Sequence, residues 1–187
     1  GQAHWLSADP APDAWTRQFF PDAAAIRRGE HFPTLGLPAF AAPAPTVGLA
    51  APTVVVLEDS IDGTLRTLRL RLVSPRHAQN LAAEIQAEGM IAAATLAGQP
   101  LDLSAFTAAQ RQQLAFTYVN PPKAGIDLTL RIASAGPVVL RLQDASAGLP
   151  PIPGMTIAAR PPEMMPIPGP TLLDPTVVRR SITVPGR

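Results

Sequence analysis

Apolar and polar positions alternate with a period of two through the middle of this chain. Ile126, Leu128, Leu130 and Ile132 interleave with Asp127, Thr129 and Arg131, and Leu68, Leu70 and Leu72 interleave with Arg69 and Arg71. That period sends one set of side chains into a core and the other into water, as antiparallel strands with one solvated face require. Strands are predicted over 53–58, 65–73, 90–97, 113–119, 126–133, 138–143 and 176–184. Over 80–88 the Ala, Gln and Glu content favours helix by propensity. Yet Leu81, Ala83, Ile85 and Ala87 alternate with Asn80, Glu84, Gln86 and Glu88, which predicts a strand closed by Gly89. Turns are predicted at Asp59-Ser60-Ile61-Asp62-Gly63, Ser74-Pro75, Gly98-Gln99-Pro100, Pro121-Pro122-Lys123-Ala124-Gly125 and Ser134-Ala135-Gly136-Pro137. Thr107 and Gln110 have capping-box spacing, which predicts a short helix over 108–112. About eight short strands with turn signals between them imply an all-β fold, an antiparallel β-sandwich of jelly-roll-like or immunoglobulin-like type.

Proline placement sets the expected domain organisation. The chain has 23 prolines, concentrated in 1–52 and again from Pro150 to Pro175, where Pro150-Pro151, Pro161-Pro162 and Pro166-Ile167-Pro168-Gly169-Pro170 occur. Proline fixes φ and lacks an N–H, so the proline-rich stretches are not expected to supply central strands. The reading is an irregular arm over 1–52 with a short helix, packed on a β-sandwich over 53–187 that includes the proline-rich segment 148–175. No internal repeat of fixed period is present.

Composition narrows the function classes. At 187 residues a core can be buried without staples, and the absence of cysteine removes disulfides and thiolate metal sites. The net charge is +1, and the arginines stand mostly alone along strands; Arg27-Arg28 and Arg179-Arg180 are too short to form the basic stripe of a nucleic-acid binder. No apolar run reaches the roughly 20 residues that span a bilayer. No secretory leader pattern is present.

Candidate chemistry is sparse. The 3 histidines, His4, His31 and His77, have no second His at ligand spacing, and neither H-E-x-x-H nor H-x-D occurs. There is no G-x-S-x-G around a serine and no phosphate-cradling glycine loop. The segment from Glu58 to Gly63 lacks calcium-loop spacing and reads as a hairpin turn. Asp102, Asp127 and Asp144 lie far apart in sequence and are expected to cap turns or face solvent. No catalytic, metal-binding or cofactor-binding residue is assigned. Trp5, Trp15, Phe19 and Phe20 concentrate in the first twenty residues. They suit a membrane-interface anchor or packing, and packing is favoured because Arg17 is the lone nearby cation for lipid heads. Met164-Met165 reads as a docked loop.

The order of several local signatures adds a resemblance. These are the arm from His4-Trp5-Leu6-Ser7 through Asp13-Ala14-Trp15-Thr16, Ser74-Pro75-Arg76 after a Leu/Arg strand, the segment 93–100, and Gly148-Leu149-Pro150 with Arg160-Pro161-Pro162. Together they resemble the C-terminal region of bacterial membrane-associated zinc metallopeptidases of the M-28 aminopeptidase-like type, similar to the endoplasmic-reticulum metallopeptidase. The resemblance implies a soluble β domain that follows a two-zinc catalytic domain and membrane helices. It implies a periplasmic or extracytoplasmic location, membrane proximity through the parent chain, and zinc in the parent catalytic domain rather than here. The family's zinc ligands, an H-x-D, a Glu-Glu pair and further Asp and His residues, have no counterpart in this chain, so no catalytic residue carries across. The expected role is a non-catalytic accessory domain that packs on or gates the catalytic unit, with that unit or another protein as partner and no nucleic acid. The alternative is a free-standing carbohydrate- or protein-binding β-sandwich, which would expose aromatics from strands or loops on one face.

Overall fold

The structure, a computed structural model, describes residues 2–7, 11–20, 30–31, 38–164 and 174–187. Arg27-Arg28, Met165, the Pro166–Pro170 run and part of the first resemblance signature lie outside the described residues. The chain divides into two compact units, Gly1–Gly48 with Ala147–Thr176, and Leu49–Ser146 with Val177–Arg187. The proline-rich segment after Ser146 thus gathers with the amino-terminal arm, while the last strand belongs almost wholly to the second unit.

The second unit is an all-β sandwich. Its strands are β4 (Thr53–Asp62), β5 (Leu65–Val73), β6 (Asn80–Ala87), β7 (Ile91–Leu96), β8 (Gln99–Pro100), β9 (Gln113–Val119), β10 (Ile126–Ile132), β11 (Val138–Ser146) and β12 (Thr176–Val184). One sheet has the order β4-β5-β10-β7-β8 and the other β12-β11-β6-β9. The chain changes sheet between β5 and β6, β6 and β7, β8 and β9, β9 and β10, and β10 and β11, so each sheet is assembled from strands distant in sequence. The alternation read from the sequence sets the faces. Leu68, Leu70 and Leu72 of β5 and Ile126, Leu128, Leu130 and Ile132 of β10 are buried, and they meet Leu81, Ala83, Ile85 and Ala87 of β6 with Val138, Leu140 and Leu142 of β11 in one core. Helix propensity over 80–87 loses because four buried contacts on one face outweigh differences of a few tenths of a kcal/mol per residue.

Three sequence expectations are corrected here. The residues assigned to a turn at Asp59–Gly63 continue β4 as far as Asp62; Leu57 is an extra residue where the register with β5 shifts, and the hairpin closes at Gly63-Thr64. Gly98-Gln99-Pro100 is not one turn. Ala97 and Gly98 make a two-residue hairpin with φ of 50° and 79°, and Gln99–Pro100 pairs back on β7. The helix over 108–112 is a single 3-10 turn, Gln110–Gln112.

The first unit carries β1 (Ala3–Ser7), β2 (Glu30–His31) and β3 (Pro38–Ala44) in the order β1-β3-β2. Two prolines therefore occupy a middle strand, against the sequence expectation. The strands are staggered: β1 pairs with Phe40–Ala44 and β2 with Pro38 and Ala39, so among the described residues no position of β3 is paired on both sides. Each proline thus has an edge where the missing N–H breaks no ladder bond. Phe19, Phe20 and Ala42 form this unit's buried cluster, with Trp5, Trp15, Phe40, Leu149, Met155 and Ile157 around it. The aromatic arm is packed, through a Trp5–Phe19 contact at 4.6 Å and an edge-on Trp15–Phe19 contact at 5.0 Å. The Trp15 Nε1–H donates to the Ala158 carbonyl oxygen at 2.7 Å, and the Arg160 guanidinium lies 3.9 Å from the Trp15 ring centroid. That stacking holds the second proline-rich segment on the first.

Candidate functional site

The site begins with a loop that orders itself. Between β8 and β9 the chain crosses from one sheet to the other over residues 101–112. Asp102 accepts the Ser104 N–H at 2.9 Å. Gln110 Oε1 accepts the Thr107 N–H at 2.9 Å, while the Gln110 N–H reaches Thr107 Oγ1 at 3.3 Å. This is the reciprocal bonding that the Thr107–Gln110 spacing predicts. The Arg111 Nε–H donates to the Phe106 carbonyl oxygen at 3.0 Å, and the Phe106 N–H reaches the Leu103 carbonyl oxygen at 3.1 Å. Hydrogen bonds internal to the loop thus fix Arg111 and Phe106 in place.

Beneath the loop lies a cleft of about 290 Å³ bordered by Ile91, Leu103, Phe106, Arg111, Leu114 and Ala115. Its floor is apolar because Ile91 starts β7 with its side chain in the core and Leu114 is the first inward residue of β9. Among the described residues β9 is an edge strand, paired to β6 alone. Its inward residues Leu114, Phe116 and Tyr118 pack on the core yet are only partly buried, so the sandwich is half open along this flank. Phe106 stands 47% exposed at the rim.

The sequence missed this site. Its single legible signal is the capping-box spacing, which marks an ordered loop but not what the loop covers. Ile91 and Leu114 come together only through the strand order.

The residues weighed from sequence are mostly occupied elsewhere. Asp102 caps a turn as expected, and the Ser104 hydroxyl and N–H hold its carboxyl below the ordinary range. Asp127 is half exposed and pairs across the sheet with Arg71 at 2.7 Å, which lowers its pKa chiefly by hydrogen bonding. Asp144 departs from expectation because it is fully buried. It accepts the Ser74 hydroxyl at 2.5 Å and Arg76 Nη2 at 2.6 Å, and Ser74 Oγ takes the Ala78 N–H at 3.1 Å. The Ser74-Pro75-Arg76 signature is therefore a structural corner.

A second ion pair joins the partly buried Asp59 to the fully buried Arg66. Arg66 bonds both Asp59 oxygens at 2.8 Å and donates to the Gly136 and Pro185 carbonyl oxygens at 2.7 Å each. Arg187 Nε adds an ion pair to Asp59 at 3.2 Å. The Arg66 hydrogen bonds are the main reason that the Asp59 carboxyl is held below its ordinary range.

Of the histidines, His4 is exposed on β1, His77 sits in the turn after β5 at φ 52°, and His31 lies on β2. Among the described residues no three His, Asp or Glu side chains gather as a metal-holding group. No model of a known protein family matches this chain, and no curated protein or solved structure matches it either. The resemblance to zinc peptidases rests on the short sequence signatures alone.

Proposed function

We propose that this chain is a non-catalytic binding module that holds an extended segment of another protein along the flank made by β7, β9 and the 101–112 loop. The cleft beside the half-open edge strand β9 carries the reading. An extended segment can add to an edge strand through main-chain hydrogen bonds while a side chain enters a neighbouring pocket. The loop's internal hydrogen bonds leave little of it to be ordered on binding, which favours affinity. Asp59, Asp102 and Asp127 also support binding over catalysis, since all are depressed and employed as structural anions. A general acid near neutral pH needs a shift in the opposite direction.

The zinc-peptidase resemblance supplies a narrower form of this reading. In it the module is the C-terminal accessory domain of an aminopeptidase-like zinc peptidase, the bound segment belongs to the catalytic unit, and zinc resides there, outside the cytoplasm. Reading the parent open reading frame tests that form; an upstream region without zinc motifs and hydrophobic spans removes it. The carbohydrate alternative has less support, because sugar platforms need several exposed rings and the cleft offers Phe106 at its rim.

The test is an amide-shift titration of the isotope-labelled full chain with a hexapeptide pool, randomised at five positions and ending in Leu, Val or Phe. Shifts are expected in 101–119. A flank that responds to chito- or malto-oligosaccharides and not to peptides would transfer the site to the carbohydrate reading, and a silent flank overturns both.

A further inference from the structure

We infer that the cleft selects the carboxyl-terminal residue of the segment it holds, an apolar side chain with a free α-carboxylate; the inference rests on the binding reading above. Three observations converge on it. First, Arg111 is the charged residue lining an otherwise apolar and amide-bearing cleft, and its Nε–H is committed to the Phe106 carbonyl oxygen. That bond orients the guanidinium plane, and among the described residues no acceptor takes the Nη protons. Two parallel Nη–H donors in a fixed plane match the two oxygens of a carboxylate. Asp102, the carboxylate on the same loop, feels the Arg111 charge at a distance but forms no salt bridge with it among the described residues, and it accepts the Ser104 N–H.

Second, the strand polarity fits. β9 begins at the cleft with Gln113, Leu114 and Ala115 and runs away from it towards Val119. A segment that adds antiparallel to β9 runs the opposite way and finishes at the cleft, so its last residue arrives beside Arg111. A parallel segment would bring its amino terminus, a cation, to the same arginine.

Third, the size suits one side chain. At about 290 Å³ the cleft falls at the lower limit for small-molecule pockets, and its walls are Ile91, Leu103, Phe106 and Leu114.

The experiment uses the full chain and two fluorescein-labelled versions of the hexapeptide pool, one ending in a free acid and one amidated. Anisotropy titrations are expected to give the acid at least about tenfold tighter binding than the amide, the scale of a charge-assisted bidentate contact. Arg111→Gln should bring the acid to the amide's affinity, and Arg111→Lys should retain part of the preference. N-acetyl-leucine should bind far more weakly than the acid pool, because it cannot pair along β9.

Equal affinity of acid and amide for the unaltered chain overturns the carboxylate selection while leaving the binding module intact. So does an acid preference that survives Arg111→Gln. N-acetyl-leucine matching the acid pool overturns strand addition. If neither pool binds, the module reading falls with the inference.

Discussion

Asp59 shows how far a single side chain can sit from its sequence reading. A carboxylate in a predicted turn would be solvated and replaceable, whereas here it neutralises an arginine whose side chain is 0% exposed. Removing one partner from a buried ion pair strands the other, at a cost of about 3–5 kcal/mol. Asp59→Asn should therefore lower the midpoint of chemical denaturation at neutral pH by an amount in that range. The pH dependence follows from the depressed carboxyl. Its contribution is complete above the unfolded-state value near about 4 and is lost as pH falls through the lower folded-state value. Denaturation of the two proteins at stepped pH should show the gap between them narrowing below about pH 4; a constant gap would exclude the linkage. Two turn positions give opposite signs. Ala97 holds φ 50° at the first position of the Ala97-Gly98 hairpin, so Ala97→Asn should raise stability by up to about 1 kcal/mol. Gly125 has φ 93°, and a Cβ there would lie 2.6 Å from the Leu72 carbonyl oxygen, so Gly125→Ala should cost about 1–3 kcal/mol. Thermal melts of both variants check the pair.

Among the elements, the edge strands differ in how they are protected. β8 is two residues long and ends in proline, a blunt edge of the kind that resists further pairing. β4, at the opposite edge of the same sheet, is ten residues long and exposes Val55, Val56, Leu57 and Ile61. The bulge at Leu57, together with Glu58 and Asp62, interrupts the apolar run. A long apolar edge still invites self-pairing. Val56→Lys, at a position 47% exposed, should leave the melting temperature nearly unchanged and reduce concentration-dependent light scattering on storage. Scattering equal to that of the unaltered chain would show that β4 does not mediate association.

At the scale of the whole molecule, the described residues form two separate buried clusters, one around Leu70 and Leu128 and one around Phe19 and Phe20. The second is small and depends on segments from both ends of the first unit, which makes it the less stable body. Phe19→Ala should abolish slow hydrogen exchange in β1 and β3 while amides of β5, β6, β10 and β11 keep their protection. Simultaneous loss in both sets would show one cooperative unit instead.

The sequence by itself determined the strands and their faces. Leu68, Leu70 and Leu72, then Ile126, Leu128, Leu130 and Ile132, and Leu81, Ala83, Ile85 and Ala87 are buried as their period of two requires, because that period is local geometry. It also marked the ordered loop at Thr107–Gln110. Strand order, by contrast, is a long-range property, and it decided the features on which the proposed function rests: which edge β9 presents, that Ile91 and Leu114 share a cleft, and that Arg111 faces it. The fate of Asp144 was settled the same way. A carboxylate's neighbour in space, such as a serine seventy positions away, leaves no trace in the spacing of residues along the chain.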